Sequence, residues 1–380
     1  MKWLYIKNGN CVDQISRLEG GKIIPPKGGI DAYIGDFLHS TFGDEFTVVS
    51  STVVRSNLTI NNVSAMNLSI ADGAFARKFF DTIKACVDFY KISNLFKADR
   101  IVCGKLGPFL WVSTIISFLS KAPLVFSCHN DLVYARKSIR QKIFQFLDNY
   151  CIKISYGAIS NGPYLKDQII TIKGGSDRVY DFGVSFNDFE ELVELPLELE
   201  TSLPDQYILY VGRIEENKGV YDLLSAFREL HSNTTSLVFV GGGSELEQLT
   251  HTIDELGIKN AKTLGQVDHK YLSSIISRAN FVVTPTQSSF PEGRCKVVME
   301  ALALGRPVIA PNYGSFPYLI NSSNGLLFEV DSVSNLSEQL KKLDSDTELL
   351  RTLSKGALSS IESIMTPRSY YEAIRCIFSS

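Results

Sequence analysis

Short apolar runs rich in Val, Ile, Leu and aromatic residues alternate along the chain with longer stretches whose apolar positions recur at helical spacing. Runs without in-and-out alternation suit strands buried on both faces of a parallel sheet, and the helical stretches supply the crossovers between them. The pattern predicts an α/β protein of repeated βα units. In the first half it predicts strands over 3–6, 46–54, 100–103, 124–127 and 157–159, and helices over 31–41, 75–94, 108–119, 135–150 and 163–170. The rhythm fades over 184–206, where an acidic Leu/Pro-containing stretch suits a linker. It restarts with strands over 207–211, 237–240, 262–264, 281–284 and 308–310, each followed by a helix. Two doubly wound domains result, residues 1–184 and 207–363, joined by a linker over 185–206, with a terminal helix in 364–380 that Pro367 begins.

Length agrees with that division, since 380 residues exceed the roughly 250–300 at which a single core splits. A content of 44% hydrophobic and 21% charged residues belongs to a globular chain with a real core. The net charge of −3 provides no global field for nucleic acid, so no nucleic-acid partner is expected and any anion site must be local. Seven scattered cysteines, odd in number and never spaced Cys-x-x-Cys, fit a reducing compartment. Cys128 and His129 are adjacent, but no second His/Cys cluster accompanies them, so no structural metal is expected. The first ten residues lack the apolar region of a signal peptide; a cytoplasmic protein is expected, with its six Asn-x-Ser/Thr sequons unused. The longest apolar stretch, 106–126, is broken by Pro108, Ser113, Ser117, Lys121 and Pro123, and reads as a buried helix followed by a buried strand rather than a membrane span. No repeat of fixed period is visible, and 50–69 is an Asn/Ser-rich stretch of low complexity.

Glycines follow three predicted strands: Gly28-Gly29 after the first, Gly212 after 207–211, and Gly241 to Gly243 after 237–240. Glycine there lets backbone N–H groups approach a ligand, and a following helix N-terminus favours a phosphate, though strand-to-helix turns also use glycine for steric reasons alone. All three lie where open α/β sheets bind ligands. Arg213 and Lys218 add two cations to one of these loops, spaced to converge on a diphosphate and stabilise the charge on a departing nucleotide. The competing reading is a solvated loop whose cations pair with Glu215 and Glu216.

The segment 289–310, Ser-Phe-Pro-Glu-Gly-Arg-Cys-Lys-Val-Val-Met-Glu-Ala-Leu-Ala-Leu-Gly-Arg-Pro-Val-Ile-Ala, is the most informative. With its Glu-x7-Glu pair, Glu292 and Glu300, and its Ala-Leu-Ala-x-Gly-x-Pro-Val tail, it resembles the family 4 (group 1) glycosyltransferases, retaining enzymes of the GT-B fold. Gly28-Gly29, His129-Asn130, the Gly212/Arg213/Lys218/Gly219 loop and the Gly241–Gly243 turn fall in the same register, so the resemblance covers nearly the whole chain. It implies two Rossmann-like domains facing across a deep cleft, with a C-terminal helix crossing back to the first. It further implies that Arg213 and Lys218 hold a donor diphosphate, Glu300 the ribose and Glu292 the transferred sugar. Gly242 would lie in the donor site, and Gly293, Arg294 and Cys295 would offer backbone N–H groups at a helix start. His129 would face the reacting centre, and Gly28-Gly29 would close on phosphates or acceptor. Arg294 departs from the pattern, standing where many relatives carry an apolar or aromatic residue. The implied substrates are a nucleotide-sugar, with UDP-sugar preferred to GDP-mannose on frequency alone, and a glycan or lipid-linked acceptor of a bacterial surface polysaccharide pathway; no cofactor is implied.

A retaining glycoside hydrolase needs two carboxyl groups about 5–5.5 Å apart. Eight residues of helix span about 12 Å, so Glu292 and Glu300 suit two ends of an extended donor better than one anomeric carbon. Asp344 and Asp346 mimic a metal-binding Asp-x-Asp but fall in a polar stretch between C-terminal helices, so metal-independent transfer is expected. The stretch 134–147 carries Arg136, Lys137, Arg140 and Lys142 with Ile139, Ile143, Phe144, Phe146 and Leu147, which fits either a core-packed helix with a charged outer face or peripheral contact with an anionic membrane. A GT-B-like phosphorylase or epimerase would need a phosphate site or its own acid/base pair, and neither signature is evident. A non-catalytic nucleotide-sugar-binding protein is the remaining alternative.

Overall fold

A computed structural model describes the chain except residues 8–10, 12, 14–17, 20–21, 24–43, 53–55, 61, 70–74, 133–137, 184–191, 231–233, 291, 366–367 and 380, together with the side chains of 18–19, 22–23, 51–52, 69, 75–80 and 94–95. The described residues divide into two compact units, Met1–Gly183 with Pro367–Ser380, and Val184–Thr366.

The first unit is laid out as β1 (Lys2–Ile6), β2 (Glu45–Thr52), β3 (Ser56–Ile60), β4 (Val63–Ser69), α1 (Phe75–Phe96), β5 (Arg100–Cys103), α2 (Pro108–Ser120), β6 (Leu124–Cys128), α3 (Ile139–Ile154), β7 (Gly157–Asn161), α4 (Pro163–Lys173) and β8 (Val179–Phe182). Its strands form a sheet in the order β8-β7-β6-β5-β1-β2-β4-β3, parallel except for the β3–β4 pair. Both faces are buried, and β1 shows why its sequence lacks alternation. Leu4 and Ile6 enter the core beneath the α1–α4 layer, while Trp3 and Tyr5 enter a second core with Tyr370, Ile374 and Ile377 of the C-terminal helix. That helix, α12 (Tyr370–Ser379), starts at Ser369, whose hydroxyl accepts the Glu372 N–H at 3.3 Å while the Glu372 carboxylate accepts the Ser369 N–H at 2.8 Å. This reciprocal cap begins the helix later than the proline signal implies.

Between these come α5 (Leu197–Ser202), β9 (Tyr207–Val211), α6 (Val220–Arg228), β10 (Ser236–Val240), α7 (Leu246–Glu255), β11 (Ala261–Gly265), α8 (Leu272–Arg278), β12 (Phe281–Val283), α9 (Lys296–Ala303), β13 (Val308–Pro311), β14 (Gly325–Phe328), α10 (Val333–Ser345) and α11 (Thr347–Ile364). The second sheet is wholly parallel in the order β11-β10-β9-β12-β13-β14. Alternate residues of β9 again serve opposite cores.

Four differences from the sequence reading have physical causes. The Asn/Ser-rich stretch is not featureless: β3 and β4 lie in it, and buried Asn67 accepts from Ser50 Oγ at 2.6 Å and from the Cys11 N–H at 3.1 Å. Polar residues thus occupy a strand interior because they satisfy one another. The stretch from Leu195 to Gln206 is not a free linker either, since Leu195 is buried in the second core and Leu199 and Leu203 pack on it. Helix α3 begins at Ile139 behind a capping box of Ser138 and Gln141, and residues 135–137 lie outside the described residues. The helix expected over 31–41 lies outside them as well. Finally, α2 is not a wholly buried helix: Phe109, Leu110 and Ile116 face the core, whereas Ile115, Phe118 and Leu119 are exposed.

Candidate functional site

In the second sheet the chain order reverses between β9 and β12, and the loops at their carboxyl ends flank this switch point, where doubly wound sheets place their ligands. The loops touch backbone to backbone. Gly219 has φ +71°, and a Cβ there would stand 2.0 Å from the Pro285 carbonyl oxygen, so only glycine permits the approach. The short turn Glu216–Lys218 then carries Lys218 inward, where its ammonium pairs with Glu292 and lies 3.7 Å from the Phe290 ring centroid. Arg213 stands 5.5 Å from the same ring, but its Nη1 bonds Glu215 Oε1 at 2.6 Å and its side chain is 57% exposed, against 12% for Lys218. Arg213 is thus the exposed cation of the loop, paired with Glu215, and Lys218 the more buried one, paired with Glu292.

Glu292 precedes α9, and Glu300 sits one turn into it, 6% exposed, with Nζ of Lys296, the first residue of the helix, 3.4 Å away. Gly293, Arg294 and Cys295 lead into the helix, whose first backbone N–H groups lack intrahelical partners. Burial, then the Glu292 charge, pushes the Cys295 thiol up to about 12, so it stays protonated. The Arg294 guanidinium turns elsewhere, donating to Met299 Sδ at 3.1 Å and to the Ile364 carbonyl at 3.1 Å, where it caps the end of α11. A Cβ at Gly242 would meet only Gln266, at 3.6 Å. A polar cavity of about 420 Å³ beside the β9 loop is lined by Glu215, Asn217, Glu245, Gln287 and Ser289. Asp346 is the N-cap of α11, accepting the Leu349 N–H at 2.9 Å. Among the described residues no cluster of three or more His, Cys, Asp or Glu could hold a metal ion. Gly28 and Gly29 lie outside the described residues.

His129 follows β6 in the first unit, beside a cavity of about 210 Å³ that Gly104, Lys105, Ser127 and Asn130 also line. Its Nε2 is 2.9 Å from Ser127 Oγ, Tyr370 donates to that same oxygen at 3.0 Å, and the Tyr370 and Tyr5 hydroxyls meet at 2.7 Å. A serine hydroxyl both donates and accepts, so Ser127 joins the imidazole Nε2 to the two tyrosine hydroxyls in one buried hydrogen-bonded chain. The Phe182 ring packs edge-on at 5.5 Å and the Tyr370 ring stacks at 6.2 Å. Burial, then the nearby Lys7 charge, lowers the His129 pKa to about 4. The folded state therefore favours neutral imidazole, and the associated stability is full above the ordinary value near 6.5 and lost as pH falls towards 4. We expect thermal melts to lose up to about 3 kcal/mol of stability across that window through this group, a loss that His129→Gln removes; an unchanged pH slope in the variant would refute it.

Phe290, Ser127, Tyr5 and Tyr370 were not among the sequence candidates. Phe290 stands two residues before Glu292 and was legible as part of the motif, whereas Tyr370 reaches His129 from 241 positions away and leaves no local signal.

Two doubly wound α/β units with this strand order are the GT-B architecture. The Anabaena protein HepE, solved in complex with UDP, superposes with a TM-score of 0.71 at 17% identity over 100% of both chains. Residues 198–359 match the family described as glycosyl transferases group 1. The capsular polysaccharide biosynthesis glycosyltransferase CapM of Staphylococcus aureus is 23% identical over 282 residues, 71% of this chain and 73% of its own. A 2-deoxystreptamine N-acetyl-D-glucosaminyltransferase of Niallia circulans is 22% identical over 349 residues, 86% and 88% of the two chains.

Proposed function

We propose that the protein transfers a hexose or N-acetylhexosamine from a UDP-sugar, with retention of configuration, to a glycan or lipid-linked acceptor in bacterial surface polysaccharide synthesis. The observation that carries this reading is the Lys218–Glu292 pair on the loops flanking the β9/β12 switch point, with buried Glu300 one turn into the helix that follows. Lys218 binds the donor diphosphate and stabilises the charge that grows as UDP leaves, with the α9 N-terminus adding its dipole. Arg213 exchanges Glu215 for phosphate. Glu300, buried and acceptor-only when ionised, takes the ribose hydroxyls, and Glu292, released from Lys218, takes hydroxyls of the sugar. The leaving diphosphate helps deprotonate the acceptor, so no carboxylate nucleophile is required, and His129 acts as a neutral imidazole on the sugar. Lys218 performs the charge stabilisation that a divalent cation supplies elsewhere, so activity persists in chelator.

The UDP bound by HepE and the pathway named for CapM support donor and setting. Nucleotide-sugars and seven cysteines that form no disulfide both fit the cytoplasmic side. Calorimetry against UDP-, GDP-, ADP- and TDP-sugars tests the reading. UDP-sugars are expected to bind, and Glu300→Ala to weaken them about tenfold to a hundredfold through loss of charge-assisted hydrogen bonds. Binding of no donor by the folded protein would remove the proposal.

A further inference from the structure

Among the described residues, thirteen of the twenty exposed large hydrophobic side chains lie between Ile83 and Tyr156, nearly all on the outer side of α1, α2 and α3. Phe118 is 83% exposed, Ile139 80% and Phe146 70%. A monomer in water gains nothing by such clustering, and contiguous apolar surface of this kind marks a contact. Between the three helices runs an apolar groove of about 680 Å³, lined by Cys86, Val87, Trp111, Ile115 and Phe144, with Arg140 among its lining residues. That volume lies within the range of small-molecule sites, roughly 300–1,000 Å³. The Trp111 and Phe144 rings meet edge to face at 4.9 Å, and the Arg140 guanidinium covers Phe144 at 5.1 Å, so one aromatic wall carries a cation.

Charge selects the occupant. Helix α2 has no charged residue before Lys121 at its end, and α3 exposes Arg140, Lys142 and Lys153. The acid of α3, Asp148, is buried and accepts from the Gly107 N–H and the Trp111 indole, both at 2.8 Å. On the described part of α1, Lys84 and Lys91 balance Asp81 and Asp88. The face is therefore cationic on a chain whose net charge is −3. A second copy would bring like charges together, whereas anionic headgroups above hydrocarbon answer both the cations and the apolar side chains. None of the described helices is long and apolar enough to cross a membrane, so the contact is one of surface and not of span.

We propose that the α1–α3 face docks on an anionic lipid bilayer and that the groove admits one acyl chain, with Arg140 at its phosphate. The groove is lined by the N-terminal halves of α2 and α3, the end of the layer where β5 and β6 deliver Gly104 and His129. The docking stands on the surface alone; that it presents a lipid-linked acceptor at the His129 end rests on the transferase reading.

Co-sedimentation with phosphatidylcholine vesicles, with and without phosphatidylglycerol, tests it. At low salt the anionic vesicles are expected to bind at least about tenfold more tightly than neutral ones. Phe118→Ser with Phe146→Ser, or Arg140→Glu with Lys142→Glu, should abolish that binding while UDP affinity, measured on the same samples, stays unchanged. Brominated acyl chains should quench tryptophan emission through Trp111 and not through buried Trp3, so Trp111→Phe should remove the quenching. Absence of sedimentation by the folded protein, equal sedimentation of all variants, binding without Trp111 quenching, or a concentration-dependent dimer that the Phe118/Phe146 variant dissociates would each overturn the proposal. Failure of wild type to bind UDP would instead strike the transferase reading and leave the vesicle result standing.

Discussion

Lys218→Ala is expected to raise the dissociation constant for UDP by about tenfold to a hundredfold and to slow donor hydrolysis by about a hundredfold or more. The ammonium is the less exposed of the two loop cations and is oriented by Glu292 and the Phe290 ring, so little side-chain freedom remains to be lost on meeting a diphosphate. A merely structural role makes a different forecast. If Lys218 serves only to neutralise Glu292, then Lys218→Ala leaves a half-buried carboxylate uncompensated, and Glu292→Gln in the same chain should restore both melting temperature and affinity. If Lys218 binds phosphate, the double variant recovers stability and not affinity. Lys218→Arg keeps the charge but not the compact point-like ammonium, and is expected to recover part of the binding. Calorimetric titration of UDP into the four proteins, beside their melting curves, separates the two accounts.

The strand pattern was legible because both faces of both sheets are buried: 207–211 and 100–103 stand where their apolar runs put them. Strands β3 and β4 were not, because Ser50, Ser56, Asn67 and Cys11 satisfy one another within the fold and give the stretch a loop-like composition. Strands β8 and β14 were missed as well: each lies at a sheet edge and buries only its two end residues, which weakens the buried-run signal. At the site, Lys218, Glu292 and Glu300 were legible because a motif fixes residue types at fixed spacing around a strand-to-helix turn. What a residue pairs with across the fold was not: spacing treats Arg213 and Lys218 alike, and only the structure gives Arg213 to Glu215 and Lys218 to Glu292. The same holds for Arg294, whose guanidinium is committed to the end of α11. The outer face of α2 was misjudged because hydrophobicity reports that a helix seeks an apolar partner and not which partner it finds.

Gly241→Ala is expected to cost about 3–5 kcal/mol, lowering the melting temperature by roughly 10 °C, while Gly242→Ala costs less than about 1 kcal/mol. Gly241 has φ +141°, and a Cβ there would lie 1.8 Å from the Gly212 carbonyl oxygen and 2.9 Å from its carbon. Both obstacles are backbone, so no rotamer change relieves them, and the loops after β9 and β10 must separate. Separation would break the bonds that join them, Gly212 N–H to the Val240 carbonyl at 3.0 Å and Ile214 N–H to the Gly242 carbonyl at 2.8 Å. Because Arg213 and Lys218 ride on the displaced loop, UDP affinity should fall together with stability. At Gly242 a Cβ would meet only the Gln266 side chain, at ordinary contact distances of 3.6 and 3.8 Å, so alanine there leaves both quantities near wild type. Equal melting of the two variants would mean that the Gly241 to Gly243 turn does not hold the Arg213–Lys218 loop, and that Lys218 owes its position to Phe290 and Glu292 alone.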